Sequence, residues 1–302
     1  MSGSRHSYQE ATARQRIHAL LDGFEEFLPP SQKIISPHLA QLNTPVSFDD
    51  GVVIGAGTLQ GRPVYAAAQE GSFMGGAVGE VHGAKLVGMM RRAILKRPDA
   101  VLLLLDTGGV RLHEANAGLI AVSEVMRALL DVRAAGIPVI VLIGGSNGCF
   151  GGMGIVARCA NAIIMSEEAR LAMSGPEVIE TANGVEEFDS RDRALVWRTT
   201  GGKHRYLIGD CQTLVADDIA AFRQAALEAM DTLKQAQARV ALSLEELEQE
   251  QVLLEQRLQE FGPCKDPMDI WCAIGVPDPQ LLPMLEIDAF TSLAKEYRRG
   301  VA

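Results

Sequence analysis

Residues 137–154 read IPVIVLIGGSNGCFGGMG, an apolar run followed by a stretch with six glycines in eleven positions. A continuous aliphatic run of this kind is typical of a strand that is buried on both faces. A glycine-rich turn after the strand, with a helix pattern resuming at Met153, would leave backbone N–H groups open to a ligand. Residues 144–148 also satisfy G-x-S-x-G, the pattern of a hydrolase nucleophile elbow. Two interpretations therefore compete: Ser146 as a nucleophile, or the glycine amides as the chemical groups.

The surroundings of Ser146 fit a nucleophile elbow poorly. In that motif the helix begins directly after the serine, and an acid and a histidine follow further along the chain. Six residues, three of them glycine, separate Ser146 from Met153, and His204 is the only histidine downstream, with Asp189 and Asp192 before it. We expect Ser146 to be a turn residue.

A second glycine turn follows another predicted buried strand. VLLLLD (101–106) is succeeded by TGGVRLHE (107–114), and a long helix pattern then runs from 115 to 135. Backbone amides at such turns can stabilise an oxyanion or an enolate without any particular side chain. Tight packing explains one glycine pair, but two turns after two core strands predict a site walled by backbone amides.

Strand and helix patterns alternate along the chain, which predicts a mainly parallel α/β sheet with right-handed crossovers. The predicted strands are 52–54, 64–68, 101–106, 138–143, 162–166 and 170–174. The predicted helices are 11–28, 82–97, 115–135, 153–159, 218–238 and 244–261. The predicted divisions are an N-terminal helical and loop segment (1–50), a core domain (51–240), and a C-terminal helix with a Pro-rich, loop-like tail (241–302). Helix 244–261 is rich in Leu, Glu and Gln, but it spans few heptads for a coiled coil.

Composition excludes several classes of function. The 302 residues carry a net charge of −10, which argues against nucleic acid as the main partner because phosphate binding needs a basic surface. Five cysteines without a C-x-x-C pair predict neither a zinc ribbon nor a disulfide framework. No apolar stretch approaches the roughly 20 residues of a membrane-spanning helix, and no secretory segment is evident. We expect a soluble cytoplasmic protein.

Charged side chains near the turns each have two explanations. Arg111 and Glu114 lie near a predicted helix start, where an acid complementing the dipole and an exposed arginine are the commoner arrangement. His113 is a candidate proton donor, although a lone histidine is more often structural. A cationic helix offers either a phosphate-facing patch or a solvated face, and its members are Lys85, Arg91, Arg92, Lys96 and Arg97.

Four motifs recur in the order and spacing of the carboxyltransferase family: SFMGGAVGE (72–80), TGGVRLHEA (107–115), GCFGGMGIVA (148–157) and SGPEVIE (174–180). Together they are more specific than any single Gly-rich loop. Within the family the chain most resembles the beta subunits of biotin-independent malonate decarboxylase, over roughly residues 10–235. The resemblance implies a crotonase-like α/β core (ClpP/crotonase superfamily) of repeated β-β-α units, with a C-terminal helical extension.

The resemblance also assigns roles to residues. It implies that Gly108, Gly109, Gly151 and Gly152 form catalytic oxyanion holes. The thioester-binding residues that it implies are Arg111, Gly75, Gly76, Lys85, Ser174 and Gly175. The implied reaction is a carboxy-lyase step that converts malonyl-S-acyl carrier protein to the acetyl form and CO2 through an enolate, with no metal in this chain.

The implied cofactor is not attached covalently to this chain. It is the CoA-like phosphoribosyl-dephospho-CoA group of a partner acyl carrier protein. Further expected partners are a homologous gamma subunit, because sites of the family form between two crotonase-like domains, and a malonyl transferase subunit. Neither nucleic acid nor membrane is expected.

Departures from the family pattern distinguish this chain from its biotin-dependent branch. Those relatives usually read S-G-G-A-R-x-Q-E, whereas Thr107, Val110 and His113 differ here. A four-cysteine zinc ribbon and a second fused domain are also missing from the sequence. Two alternatives stay open: a carboxyltransferase subunit that moves CO2 to or from biotin, and a non-catalytic partner that only completes its sister's site. A free-standing hydratase is disfavoured because no suitably placed glutamate pair is present.

Overall fold

In the part of the chain that the structure describes, one sheet of seven strands organises the fold, and its strands follow one another in sequence order. The computed structural model describes residues 6–42, 48–236 and 240–298. The first three strands are antiparallel and the rest are parallel to β3. The strands are β1 (Gly23–Phe27), β2 (Val52–Leu59), β3 (Arg62–Gln69), β4 (Ala100–Leu105), β5 (Val139–Ile143), β6 (Ala162–Ser166) and β7 (Thr213–Val215).

Helices cover both faces of the sheet, and alternation along β4 shows how. Val101, Leu103 and Leu105 belong to the hydrophobic cluster formed with α2 (Glu80–Lys96) and α3 (Asn116–Ala134). Ala100, Leu102 and Leu104 belong to the opposite cluster, with α1 (Ala13–Leu20) and α8 (Ile219–Gln235). Successive side chains of a strand point to opposite faces, so a continuous apolar run is what a sheet buried on both sides requires.

The remaining helices lie after β5 and in the C-terminal part of the chain. They are α4 (Gly152–Arg158), α5 (Pro176–Asn183), α6 (Arg193–Thr200), α7 (Gly202–Leu207), α9 (Leu244–Phe261), α10 (Pro267–Ala273) and α11 (Ile287–Tyr297).

A row of isolated bridges forms a second layer beyond the carboxyl edge of the sheet. Val78 pairs with Val110, Thr107 with Cys149, and Cys149 with Leu171. After each of these core strands the chain therefore makes one further β contact before it enters the next helix. This is the β-β-α repeat of the crotonase-like fold, with the second strand of each unit reduced to a bridge. The predicted fold class is confirmed.

Three local predictions were wrong. The helix expected over 11–28 ends at Leu20. Residues 23–27 instead form an edge strand that pairs with β2, and a helix cannot continue into that strand. Segment 170–174 makes bridges but no strand. The tail is not loop-like, because Asp266 caps α10 and Pro267 occupies its first position, where a proline starts a helix. Trp271 and Phe290 of this region are buried in the larger hydrophobic cluster of the core.

Candidate active site

The two glycine turns lie in contact. We call residues 107–111 the first turn and residues 148–153 the second turn. They follow β4 and β5, which are adjacent and parallel, so both leave the same edge of the sheet. The N–H of Phe150 donates to the carbonyl of Thr107 at 3.0 Å. A Cβ placed on Gly151 would lie only 3.0 Å from the Cα of Gly109, so the backbones meet without side chains between them.

The amides of these turns differ in how they are used. Gly108 N–H donates to the carbonyl of Gly75 at 2.9 Å, and Gly109 N–H donates to Thr107 Oγ1 at 3.1 Å. Gly151 N–H donates to the carbonyl of Met173 at 3.0 Å. Three of the four glycines predicted to be catalytic thus have amides that already serve the fold.

Open amides remain on both turns. Within the ranges that the structure describes, no acceptor is found for the N–H groups of Gly152 and Met153, the first two residues of α4. Helix α4 also has no side-chain cap, so in the described chain no side chain satisfies these donors or the positive end of its dipole. The N–H of Val110 on the first turn is likewise without an acceptor in the described chain. Sequence reasoning missed Val110 because its side chain gives no hint of what its amide does.

The SFMGG loop backs the first turn. Gly75 and Gly76 both have positive φ, at 64° and 66°. A Cβ on Gly76 would lie 1.8 Å from the carbonyl oxygen of Asp106, which makes glycine obligatory there. These two glycines therefore hold the loop against the end of β4, and their thioester-binding role stays a prediction.

Arg111 lies behind the first turn. It is 3% exposed, which corrects the expectation of an exposed surface arginine. Its guanidinium donates to both oxygens of Asp49 and to Glu114 Oε1 at 3.0 Å, and its Nε donates to the carbonyl of Ala77 at 2.8 Å. Burial alone would raise the pKa of Asp49, but the hydrogen bonds and charge of Arg111 outweigh burial and hold that pKa below its usual value. Arg111 braces the turn, and its donors are engaged with the protein.

The cationic residues of α2 do not form one patch. Lys85 is buried, its Nζ lies 3.4 Å from the carbonyl of Val52, and burial lowers its pKa. Arg91 is exposed beside Glu124, and Arg92 lies over the ring of Phe27. Lys85 therefore points to the core side of the helix, while the arginines occupy the solvent side.

Ser146 is exposed, and α4 begins only at Gly152. No hydrogen bond joins Ser146 Oγ to a histidine or a carboxylate among the described residues. The candidate base His204 is committed elsewhere: its Nδ1 accepts from Trp271 Nε1 at 3.1 Å, and burial lowers its pKa to about 3. Among the described residues, Ser146 therefore has no catalytic partners of the elbow type.

Residues 173–175 lie beside the second turn, since the carbonyl of Met173 accepts from Gly151 N–H. Gly175 then caps α5, and Ser174 is half-buried. The structure thus brings the fourth motif next to the third, as its position in the family pattern requires. The contacts of Ser174 and Gly175 with a thioester stay predictions.

A buried ion pair anchors both turns to α1. Asp106, 2% exposed, accepts from Arg16 Nη1 at 2.9 Å and from the N–H of Asn147 at 2.8 Å. A Cβ on Gly145 would lie 2.1 Å from the carboxyl carbon of Asp106, so only glycine fits where the segment leading to the second turn passes the Asp106 side chain. Sequence reasoning missed this pair because Arg16 gives no local signal of a partner 90 residues away.

Large apolar side chains are exposed on the segments that flank the two turns. Leu112 follows the first turn and is 85% exposed, and Met173 next to the second turn is 67% exposed. The other members of this group, which we call the apolar rim, are Met74, Leu119, Ile120, Ile155 and Val178. Their position beside the two turns makes the apolar rim a candidate interaction surface.

The β-β-α units and paired glycine turns define a crotonase-like protein. The chain belongs to the carboxyl transferase family, because the model of the carboxyl transferase domain matches residues 4–276. It is 43% identical to the malonyl-S-ACP:biotin-protein carboxyltransferase of Malonomonas rubra, over 97% of this chain and 96% of that protein.

Solved structures agree with this assignment. The chain matches a Pseudomonas malonate decarboxylase hetero-tetramer in complex with malonate, with a TM-score of 0.72 and 42% identity, covering 76% of this chain and 85% of that one. A Pseudomonas malonate decarboxylase hetero-dimer matches with a TM-score of 0.61 and 38% identity over 76% and 89% of the two chains. The predicted family resemblance is confirmed.

The described ranges contain neither a metal-binding cluster nor a membrane-spanning helix. No group of three or more His, Cys, Asp or Glu side chains there could hold a metal ion. No helix in those ranges is both long and apolar enough to cross a membrane.

Proposed function

We propose that this chain is the beta subunit of a malonate decarboxylase and converts a malonyl thioester on an acyl carrier protein to the acetyl thioester and CO2. The observation that carries the proposal is the open N–H of Gly152 at the contact between the two glycine turns. The names of the similar proteins support the substrate, since one acts on malonyl-S-ACP and another binds malonate.

Decarboxylation of a malonyl thioester requires hydrogen-bond donors that stabilise the negative charge on the enolate oxygen. When the bond to the carboxylate carbon breaks, its electron pair moves into the thioester and leaves an enolate oxygen as CO2 departs. The open N–H groups of Gly152 and Met153 would donate to that oxygen, and Val110 N–H lies on the facing turn. A proton delivered to the enolate carbon completes the acetyl thioester. A single donor of this kind is worth about 100- to 1000-fold in turnover.

The proposed assembly contains a homologous gamma subunit that covers the apolar rim and closes the site. The hetero-tetramer and hetero-dimer among the similar structures support a partner subunit. The acyl carrier protein would present the malonyl group on its CoA-like arm, after loading by a malonyl transferase subunit. Water would be excluded from the enolate once this rim is covered, which strengthens every N–H contact to it.

A second candidate function is transfer of the carboxyl group to biotin on a carrier protein. The name of the Malonomonas rubra relative favours it, because that protein passes the group to a biotin-protein. The two candidates share the enolate and differ only in where the CO2 goes.

One assay separates the two candidates. The chain would be co-expressed with its candidate gamma subunit and supplied with malonyl-carrier labelled in the free carboxylate. Release of labelled CO2 that avidin leaves unchanged supports the decarboxylase. When a biotinylated carrier protein is added, transfer of the label to that protein that avidin blocks supports the transferase, and a complex that consumes no malonyl-carrier with or without the biotinylated protein contradicts both.

A further inference from the structure

Helix α9 presents a long exposed surface. It spans Leu244–Phe261 and begins with a capping box, in which Ser243 and Glu246 each accept from the other's backbone N–H. None of its 18 residues is buried. Its contacts with the body of the protein include Arg257, which donates to the carbonyl of Ile208, and Phe261, which packs against the main core. The helix is well formed but lies on the surface.

Exposed leucines follow α9 in a heptad pattern. Leu244, Leu247, Gln251, Leu254 and Leu258 are separated alternately by three and four residues, the spacing of the a and d positions of a coiled coil. All five are exposed, and Leu244 and Leu258 reach 71% and 73%. We call these five residues the α9 seam.

The α9 seam is distinct from the face that touches the protein. The less exposed residues of the helix are Glu246, Leu253, Arg257 and Phe261. At about 100° per residue Glu246, Leu253 and Arg257 fall on a different side of the helix from the leucines, whereas Phe261 continues the heptad spacing and lies next to Leu254, where the seam reaches the body of the protein. The five seam residues are therefore an apolar stripe that stays exposed in the part of the chain that the structure describes.

The charges beside the seam select among possible occupants. The helix carries six glutamates and one arginine. With Leu244 at position a, the flanking e and g positions hold Glu248, Glu250 and Glu255, and Arg257 is the one cation there. A second copy would place glutamates against glutamates, and an anionic membrane would be repelled. A basic helix would pair with them.

We propose that the α9 seam docks an amphipathic basic helix of a partner protein, with leucine-like residues at its own a and d positions and Lys or Arg beside them. Gln251, at a central a position, would fix the register by meeting a polar residue of the partner. None of the seam residues belongs to the apolar rim at the glycine turns.

The first test uses two synthetic helices and the full-length chain. Both peptides carry three heptads with Leu at a and d and Asn at the central a position, and they differ only in having Lys or Glu at e and g. The proposal expects the Lys peptide to bind with micromolar affinity by calorimetry and the Glu peptide to bind at least about 10-fold more weakly. Equal binding of the two, or binding of neither, overturns it.

A matched pair of variants tests where the Lys peptide binds. Leu254 lies in the seam and Val252 outside it, and they are 50% and 52% exposed. Leu254→Ser should weaken binding at least about 10-fold, whereas Val252→Ser should not. Equal losses in both variants contradict the seam. Sedimentation of the chain alone that shows self-association, abolished by Leu254→Ser, would make a second copy the occupant and also overturn the proposal.

Discussion

The two glycine turns follow neighbouring parallel strands and carry the same glycine pair, yet their amides do different work. In the first turn the N–H groups of Gly108 and Gly109 are satisfied internally, and buried Arg111 braces the loop from behind. In the second turn Gly152 starts a helix without a cap, and its N–H is open. The glycine pair therefore has both of its amides bound in the first turn and one of them open in the second, although Val110 beside the first pair also has an open N–H in the described chain. Contacts from distant segments decide which amides are bound.

The largest expected effect is the loss of stability when the Arg111 guanidinium behind the first turn is removed. Arg111→Met leaves Asp49 and Glu114 without their partner in a buried site. Breaking a buried ion pair from one side typically costs about 3–5 kcal/mol. We expect a loss of that size in the free energy of unfolding, measured by denaturant titration. Arg111→Lys keeps the positive charge but not the planar guanidinium that binds both carboxylates, so it should recover only part of the lost unfolding free energy.

An unchanged midpoint for Arg111→Met would mean that the network contributes nothing to the first turn. The difference between the turns would then lie in their glycines alone. Turnover of the folded fraction of Arg111→Met is measured separately from its unfolding free energy. If Arg111 braces the first turn, both quantities should fall, whereas substitution of a surface residue would change neither.

The next effect tests the open donor on the second turn. Proline is well tolerated at the first position of a helix and has no N–H, so Gly152→Pro removes the donor. A Cβ on Gly152 would lie 2.6 Å from Val122 Cγ1, so the substitution is combined with Val122→Ala to make room. The matched control is Gly152→Ala with Val122→Ala, which has the Cβ and keeps the N–H.

We expect the proline variant to release CO2 about 100- to 1000-fold more slowly than this control, roughly 3–4 kcal/mol of transition-state stabilisation. Both variants should co-purify with the partner subunit, which shows that assembly is intact. Equal rates in the two would leave Gly152 with a packing role only. The hypothesis of a non-catalytic partner would then be preferred.

A smaller effect is expected in the dependence of stability on pH. The folded-state pKa of Asp49 is lowered, so its pairing contributes fully above the unfolded value of about 3.9 and is lost as pH falls through the folded value. The difference in unfolding free energy between the native chain and Asp49→Asn should thus be constant from neutral pH to about 5 and shrink below 4. A difference that grows on acidification would contradict the lowered pKa.

Sequence periodicity predicted those features of the fold that depend on residues close together in the chain, such as the buried strands and the turns after them. The apolar runs of β4 and β5 and the glycines after them were sufficient to place both turns at one edge of a parallel sheet. The use of each amide could not be predicted, because the acceptor of Gly108 N–H belongs to Gly75 and the partner of Arg111 is Asp49, 62 residues away. The end of α1 at Leu20 and the helices of the tail were missed for a related reason. Pairing with β2 ended α1, and α10 begins at Pro267 in a tail that was expected to be loop-like.

The smallest effect is expected at Ser146, between β5 and the second turn. Loss of a nucleophile from a catalytic triad costs several orders of magnitude in turnover. Ser146→Ala should change turnover by less than about twofold, because its exposed hydroxyl has neither a base nor an oriented helix beside it, and surface substitutions away from such features are nearly neutral. Its backbone carbonyl, which accepts from Arg170, is kept in the variant. Steady-state CO2 release from the assembled complex is the measurement, with thermal stability as the control. A drop of a thousandfold in a stable Ser146→Ala complex would restore the serine as the nucleophile and reduce the glycine amides of both turns to packing.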